Sequence, residues 1–229
     1  MNEEIVGEDY LDFKCPHCGA LNSFPTSAAR LLRQCLNCLD LLLVPAKDGE
    51  PGRKLPLPME TYSIRLRPFQ APDWKDLLEY QFKDEDEATG WIHSLTRPAH
   101  HENFRELILA VENRHAPKVI ATLTIRFTDN SFEQAELTTE ENKSVGQSEL
   151  PRNTYEAALQ FCFRELNLHR VIICCETTET AARQLYNQLG LRQEAELLKR
   201  RRVGREWVSD VWFAMLEEEY FRKQSAARQ

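Results

Sequence analysis

Two CxxC pairs near the N-terminus constrain this chain more than any other feature. Cys15 and Cys18 form the first pair, Cys35 and Cys38 form the second, and sixteen residues separate the pairs. Two tight turns at this spacing bring four thiolates to one tetrahedral Zn²⁺. A segment this short buries too little apolar surface to fold alone, so bound metal must supply the folding free energy. The pattern predicts a small β zinc ribbon over residues 10–45 with structural zinc.

The composition is that of a globular protein. The chain has 229 residues, of which 42% are hydrophobic and 28% charged. No run approaches the roughly 18 apolar residues of a membrane helix, and the acidic start Met1–Glu4 lacks the apolar core of a signal peptide. These two features predict a cytoplasmic protein without membrane contact. Clustered cysteines in such a compartment indicate metal rather than disulfides.

The net charge of −7 argues against a nucleic-acid-binding surface that covers the whole protein. The one dense basic run, Lys199–Arg205, leaves a local contact with RNA, with the cofactor phosphates or with an acidic acceptor open. A solvated turn is the alternative interpretation of this run.

Residues 45–60 contain four prolines and two glycines, which indicates an extended, non-helical connection. We therefore predict a linker over residues 46–60 and a larger domain over residues 61–221. Hydrophobic periodicity in the larger domain predicts alternating strands and helices.

The predicted strands cover 62–68, 106–111, 118–127, 134–139 and 169–176, with hairpin arms at 192–201 and 206–216. The predicted helices cover 71–82, 84–95, 154–166 and 179–189. Asn153 followed by Glu156 predicts a capping-box start for the third helix. Residues 140–152 are predicted as a polar loop, and residues 222–229 as a frayed tail.

Five segments follow one another in a recognisable order: Ile64–Pro68, Ala135-Glu136-Leu137, the stretch from Glu156 to Val171, Ala182-x-x-Leu185-Tyr186-x-x-Leu189-Gly190-Leu191, and Asp210–Tyr220 taken as a final strand. Taken in this order, they resemble the GNAT family of N-acetyltransferases. The resemblance implies an α+β fold with a mixed, mostly antiparallel sheet flanked by helices. It covers some 160 residues, from Tyr62 to Tyr220.

The resemblance also implies a reaction, in which an amine attacks acetyl-CoA directly; a protein N-terminus is one candidate acceptor. Tyr186 occupies the position of the acid that protonates the departing thiolate, and Glu136 is the best candidate for the base. A core aromatic and a solvated strand residue are the structural alternatives for these two. Leu137, Thr138 and Thr139 lie on the strand that contacts the cofactor in this family.

The start of the cofactor-binding helix departs from the family pattern, because no glycine stands at the phosphate-binding turn and Pro151 lacks an N–H group. Arg152 can pair with phosphate, and Asn153, Thr154 and Tyr155 are the other candidates for cofactor contact. This departure supports an alternative function, in which a catalytically degenerate GNAT fold binds a partner or acts as a scaffold. Under either function, the ribbon is a docking module for a protein or nucleic-acid partner, or a structural cap on the larger domain.

Overall fold

The computed structural model of the chain describes residues 9–38, 40–96, 106–129, 131–141 and 150–226. The described residues form two compact units, one up to Pro56 and one from Leu57 onward. Most of the predicted loop at 140–152 lies outside the described residues. Within the predicted linker, Arg53 bridges to Leu43 and Met59–Glu60 is a strand of the larger unit. The domain boundaries at residues 46 and 60 stay a prediction.

The N-terminal unit consists of two short antiparallel ribbons. Its strands are β1 (Tyr10–Lys14), β2 (Leu21–Pro25), β3 (Leu32–Gln34) and β4 (Leu41–Leu43). β1 pairs with β2 and β3 pairs with β4, so each connecting turn carries one CxxC pair. The core cluster is small and includes two of the thiols: Leu11, Phe13, Cys15, Ala28, Cys35, Leu42 and Val44.

The second unit is built on one eight-stranded sheet. Its strands are β5 (Met59–Glu60), β6 (Ile64–Arg67), β7 (Glu106–Asn113), β8 (Val119–Phe127), β9 (Gln134–Glu141), β10 (Arg170–Glu176), β11 (Arg192–Val203) and β12 (Glu206–Leu216). The strand order is β11-β12-β10-β9-β8-β7-β6-β5. β9 and β10 run parallel, and the other described neighbours are antiparallel. This arrangement confirms the predicted α+β class with a mixed, mostly antiparallel sheet.

Helices cover both faces of the sheet. They are α1 (Trp74–Leu77), α2 (Glu85–Thr96), α3 (Leu150–Gln160, continued as a π-helix over Phe161–Glu165), α4 (Thr180–Leu189) and α5 (Glu217–Ala226). Leu77 and Ile92 of α1 and α2 share an apolar cluster with Ala110 of β7. The strand register puts Glu140 on the same face as Ala110, so the neighbouring Thr139 points to the opposite face. Tyr155 of α3 hydrogen-bonds to Thr139, and α3 therefore covers that opposite face. None of the helices in the described ranges has the length and apolar composition needed to cross a membrane.

The predicted helix over residues 71–82 is wrong beyond Leu77. Its start is a 3₁₀ turn, α1 lasts one turn, and the Leu77 carbonyl then accepts N–H groups from Tyr80, Gln81 and Phe82 at 3.2, 2.9 and 3.2 Å. Both Tyr80 and Phe82 pack against the apolar cluster below the sheet. A continuous helix turns by about 100° per residue, so the side chains of Tyr80 and Phe82 would lie on nearly opposite sides of it. Only one of the two could then reach that cluster.

The predicted hairpin arm over residues 206–216 ends where β12 ends, but the final strand that the resemblance extends to Tyr220 is wrong beyond Leu216. There α5 replaces the rest of that strand and most of the predicted tail. Three acidic residues occupy the first turn of α5, where the helix dipole favours negative charge. Glu219 accepts the backbone N–H of Leu216 at 2.9 Å, and Tyr220 stacks on Phe163 with ring centroids 5.0 Å apart. Capping and burial therefore order this segment.

A buried ion pair gives a test of this fold. The Arg67 guanidinium donates to both carboxylate oxygens of Asp73 at 2.7 and 2.9 Å and to Glu112 at 2.6 Å. We expect Arg67→Ala to lower the free energy of unfolding by about 3–5 kcal/mol, because the buried Asp73 carboxylate loses its cation. Urea unfolding followed by tryptophan fluorescence measures this, since all four tryptophans lie in the second unit.

The matched control is Arg126→Ala, which removes an exposed pair with Glu106 and is expected to cost less than about 1 kcal/mol. Equal losses from the two substitutions would contradict the structural role of the Arg67 pair.

Candidate functional site

Two neighbouring parallel strands part in the middle of the sheet. β9 and β10 pair over four positions, from Gln134 opposite Arg170 to Leu137 opposite Ile173. Beyond that point β9 continues to Glu141 paired with β8, while β10 continues to Glu176 paired with β12. The facing edges of the two strands therefore present main-chain N–H and C=O groups that have no strand partner within the described residues. We call this feature the fork.

A cavity of about 680 Å³ opens at the fork. Its lining comes from the ends of β9 and β10 and from the facing sides of α3 and α4. The lining residues are Leu137, Thr138, Thr139, Glu141, Pro151, Arg152, Tyr155, Cys174, Glu179, Ala181, Ala182, Gln184, Leu185, Tyr186 and Gln188. A volume of this size is that of a pocket for an extended small molecule.

Six of the residues named from the sequence line this cavity: Leu137, Thr138, Thr139, Arg152, Tyr155 and Tyr186. Glu136 is not among the described lining residues. Its side chain lies on the face of the sheet opposite to Leu137 and Thr139, because side chains alternate along a strand. Asn153 and Thr154 are absent from the lining residues that the structure describes, and the Thr154 side chain is fully buried.

The helix that precedes the cavity begins earlier than predicted. α3 starts at Leu150, so Asn153 lies inside the helix and does not cap it. The N–H groups of Thr154 and Tyr155 are consequently bonded to carbonyls four residues back and cannot contact a cofactor phosphate. Pro151 is tolerated because the first turn of a helix leaves its N–H groups without intrahelical partners. Leu150 and Arg152 retain such N–H groups.

Three hydroxyls form a chain in the cavity wall. The Thr139 Oγ1 and the Tyr155 hydroxyl are 2.9 Å apart, and the hydroxyls of Tyr155 and Tyr186 are 3.2 Å apart. The two tyrosine rings meet edge to face at 5.3 Å, and the Tyr186 ring meets Phe213 in the same way at 5.4 Å. Burial raises the pKa of both tyrosines, since a phenolate would lose its hydration there. Tyr186 therefore carries its proton at neutral pH.

Glu136 and Cys174 lie at the tip of the fork. Glu136 stands opposite Arg126 on β8 and Ile172 on β10, on the face that carries α1 and α2. The Cys174 thiol donates to Glu136 Oε1 at 3.4 Å and also lines the cavity. Burial, together with the Glu136 carboxylate, raises the pKa of this thiol to about 12. Cys174 is therefore a neutral donor between the cavity and the carboxylate.

Sequence reasoning missed Cys174 and Glu141 as cavity residues. Cys174 belongs to an apolar strand, and nothing local shows that pairing with β9 ends just before it. Glu141 falls in the predicted polar loop, whereas it is the last residue of β9 and lines the cavity. Burial raises the pKa of the Glu141 carboxyl. An alternation count that extended β9 beyond Thr139 would have found Glu141.

The four cysteines of the N-terminal unit converge on one point. All four Sγ atoms lie within 4.8 Å of one another. The Cys15–Cys38 and Cys18–Cys35 sulfur pairs are both 3.8 Å apart. Four thiolates placed 2.3 Å from a tetrahedral zinc ion would be about 3.8 Å from each other, so this donor set fits Zn²⁺.

N–H groups surround the sulfurs as they do in a thiolate site. The backbone N–H of His17 donates to Cys15 Sγ at 3.3 Å, and that of Asn37 donates to Cys35 Sγ at 3.4 Å. The His17 ring is turned away, with Nε2 3.2 Å from the carbonyl oxygen of Leu41. This geometry leaves the four thiols as the ligand set that the CxxC spacing predicts.

Two of the five cationic residues in the basic run of the hairpin form ion pairs with carboxylates of the sheet. Arg200 and Arg201 both reach Asp210, which is 2% exposed, at 3.1 Å. Arg201 also pairs with Glu176 at 2.7 Å, and the Arg200 guanidinium lies 5.0 Å from the centre of the Trp212 ring. These two arginines are 41% and 44% exposed, so they form ion pairs at the protein surface with a buried carboxylate.

Comparison with known proteins points to one family. Residues 63–192 match the model described as the acetyltransferase (GNAT) domain. A segment of 65 residues is 34% identical to the uncharacterized N-acetyltransferase YnaD of Bacillus subtilis (strain 168). That segment spans 28% of this chain and 38% of the length of YnaD.

Solved structures share the fold. A GCN5-related N-acetyltransferase from Brucella melitensis matches with a TM-score of 0.60 at 17% identity, over 78% of this chain and 85% of that one. The spermidine/spermine N-acetyltransferase SpeG from Vibrio cholerae matches with a TM-score of 0.59 at 16% identity, over 70% of this chain and 96% of that one.

Proposed function

Because the chain belongs to the GNAT acetyltransferase family, we propose that it transfers an acetyl group from acetyl-CoA to an amine. The observation that supports this most directly is the fork. Parting of β9 and β10 after Leu137 and Ile173 leaves a cavity lined by the strand ends, α3 and α4, and its lining residue Cys174 donates to Glu136 at the tip of the fork. A thioester lying across the tip would be accessible from both sides.

The two proposed catalytic groups lie on opposite faces of the sheet. Glu136, on the face of α1 and α2, would take the proton of the attacking amine, directly or through water. The unpaired N–H groups of β9 beyond Leu137 would polarise the thioester carbonyl as the tetrahedral intermediate forms. Tyr186, on the face of α3 and α4, would give its proton to the departing coenzyme A thiolate. The carbon–sulfur bond that breaks would thus lie between the base on one face of the sheet and the acid on the other.

Arg152 is the proposed anchor for the cofactor diphosphate. Its side chain lines the cavity at the first turn of α3 and is held by Glu156 at 3.0 Å and Gln188 at 3.1 Å. The positive end of the helix dipole and the N–H groups of Leu150 and Arg152 favour an anion at the same place. A guanidinium can form two parallel bonds to phosphate, which would offset the donor that Pro151 lacks.

We further propose that the N-terminal unit is a zinc ribbon, in which Zn²⁺ is structural and held by Cys15, Cys18, Cys35 and Cys38. The closed set of four thiols supports a structural rather than a catalytic role, since a catalytic zinc keeps one position for water or substrate. In this proposal zinc takes no part in acetyl transfer.

Calorimetric titration with acetyl-CoA tests the proposal. We expect binding in the micromolar range for the wild-type protein and about tenfold weaker binding for Arg152→Ala, because a charge-assisted bond to phosphate is lost. The control is Arg192→Ala, an arginine that pairs with Glu219 and is absent from the described cavity lining. It is expected to leave the affinity unchanged.

Absence of binding at millimolar acetyl-CoA would overturn the enzymatic proposal and favour the binding or scaffold alternative. If acetyl-CoA binds, mass spectrometry of spermidine and of a peptide with a free N-terminus, each incubated with protein and acetyl-CoA, identifies the class of amine. Acetylation of neither acceptor, nor of other primary amines, would contradict transferase activity.

A further inference from the structure

We propose that Tyr155 and Thr139 are positioning residues for Tyr186, which hold its hydroxyl with the hydrogen directed into the cavity and return a proton to it after each transfer. The inference rests on the proposed function and concerns the same site. It assigns a role to two residues that the sequence placed only in cofactor contact.

The observation is the chain of three hydroxyls, Thr139–Tyr155–Tyr186, with separations of 2.9 and 3.2 Å. Its three members come from β9, α3 and α4, so separate elements of the fold converge to form it. Tyr155 is 6% exposed and Tyr186 is 4% exposed. A buried hydroxyl must satisfy its donor within the protein, so the Tyr155 proton is committed to one of its two neighbours.

The direction of donation follows from counting hydrogens. Each hydroxyl has one hydrogen to donate, and two bonds in a chain of three use two of them. If Tyr155 donates to Tyr186 and Thr139 donates to Tyr155, the spare hydrogen is on Tyr186. That hydrogen is then free to bond to the sulfur of the departing thiolate. Negative charge developing on sulfur favours this direction over the reverse, because it attracts the positive end of each hydroxyl dipole.

The proton balance is simple. The carbon–sulfur bond of the tetrahedral intermediate breaks with its electron pair on sulfur, and sulfur takes the Tyr186 proton. The Tyr155 proton moves to Tyr186 and the Thr139 proton moves to Tyr155. A water molecule at Thr139, which also lines the cavity, supplies the last proton. The hydroxide formed is neutralised by the proton that the amine releases.

The test first requires measurable acetyl transfer by the wild-type protein. It then compares the wild type with Tyr155→Phe, Tyr186→Phe and the double variant. We expect Tyr155→Phe to lower kcat by about tenfold to a hundredfold while the Kd for acetyl-CoA changes less than about twofold. In the Tyr186→Phe background the same substitution should have no further effect on kcat, because Tyr155 acts through Tyr186. Multiplicative losses in the double variant would overturn the inference.

Thr139 provides a second variant in case Tyr155→Phe disturbs packing. Thr139→Val should lower kcat by about threefold to tenfold, and Thr139→Ser, which keeps the hydroxyl, should restore it. The control is Tyr220→Phe, a buried tyrosine whose hydroxyl contacts Arg164 at 3.4 Å and which is not among the described cavity residues. It should leave kcat unchanged.

The outcomes separate two failures. A wild-type protein that binds no acetyl-CoA defeats the proposed function itself. A wild-type protein that transfers acetyl groups, and whose kcat is unaffected by Tyr155→Phe and Thr139→Val, defeats only the positioning role.

Discussion

Replacement of Tyr186 by phenylalanine is expected to lower kcat for acetyl transfer by about 10²–10⁴-fold, with little change in the affinity for acetyl-CoA. Phenylalanine keeps the edge-to-face contacts with Tyr155 and Phe213 and removes only the hydroxyl. The thiolate must then leave without a proton from the protein. Steady-state kinetics with saturating amine, together with calorimetric binding of acetyl-CoA, measure the two effects separately.

The pH dependence of the wild-type rate adds a second criterion. Burial raises the pKa of Tyr186 above the ordinary tyrosine value of about 10. Because an acid acts in its protonated form, which persists below its pKa, Tyr186 should not cause kcat to fall between about pH 8 and pH 10. A rate for Tyr186→Phe equal to that of the wild type would remove Tyr186 from the acid role. A descending limb near pH 8 that Tyr186→Phe abolishes would show that its pKa is not raised.

The second large effect is expected at the cysteine cluster. Cys35→Ser should release zinc from the protein and unfold the N-terminal unit, because the core cluster of that unit has only seven buried residues, two of which are cysteines. Structural zinc contributes roughly 10 kcal/mol or more to the folding of comparable peptides, which far exceeds what so small a core provides. Metal analysis by mass spectrometry and limited proteolysis within residues 9–56 measure the loss.

Two controls define this result. His17→Ala should retain one zinc ion per chain, since its ring contacts the Leu41 carbonyl rather than the sulfurs. Cys175→Ala removes a thiol that lies on β10 and outside the cluster, and it should also retain zinc. Wild-type protein purified without chelators that contains no zinc would refute the metal site, and so would full zinc occupancy in Cys35→Ser.

Much of the fold could be predicted because its signals are local. The alternation along β8, the Gly204 turn between β11 and β12, and the glycine that ends α4 each act within a few residues. The start of α3 and the presence of α5 could not be predicted, for the complementary reason. α3 begins within a polar stretch that carries no periodic signal, and α5 is stabilised by the distant contact of Tyr220 with Phe163.

The candidate site divides in the same way. Tyr186 and Glu136 could be named from the order of motifs, but their placement on opposite faces depends on which face each helix covers. Cys174 became a cavity residue only because the pairing of β9 with β10 stops at Ile173, more than thirty residues along the chain from Leu137. No local pattern encodes where two distant strands separate.

The sequence by itself determined the cysteine spacing, the order of strands and helices from β6 to β12, and the residue types available for acid, base and phosphate contact, because each depends on spacing along the chain. Only the tertiary structure decided the fork, the cavity beside it and the convergence of three hydroxyls from β9, α3 and α4. Those features arise from packing between segments far apart in the chain. Their geometry is fixed when the sheet and its two helical layers assemble.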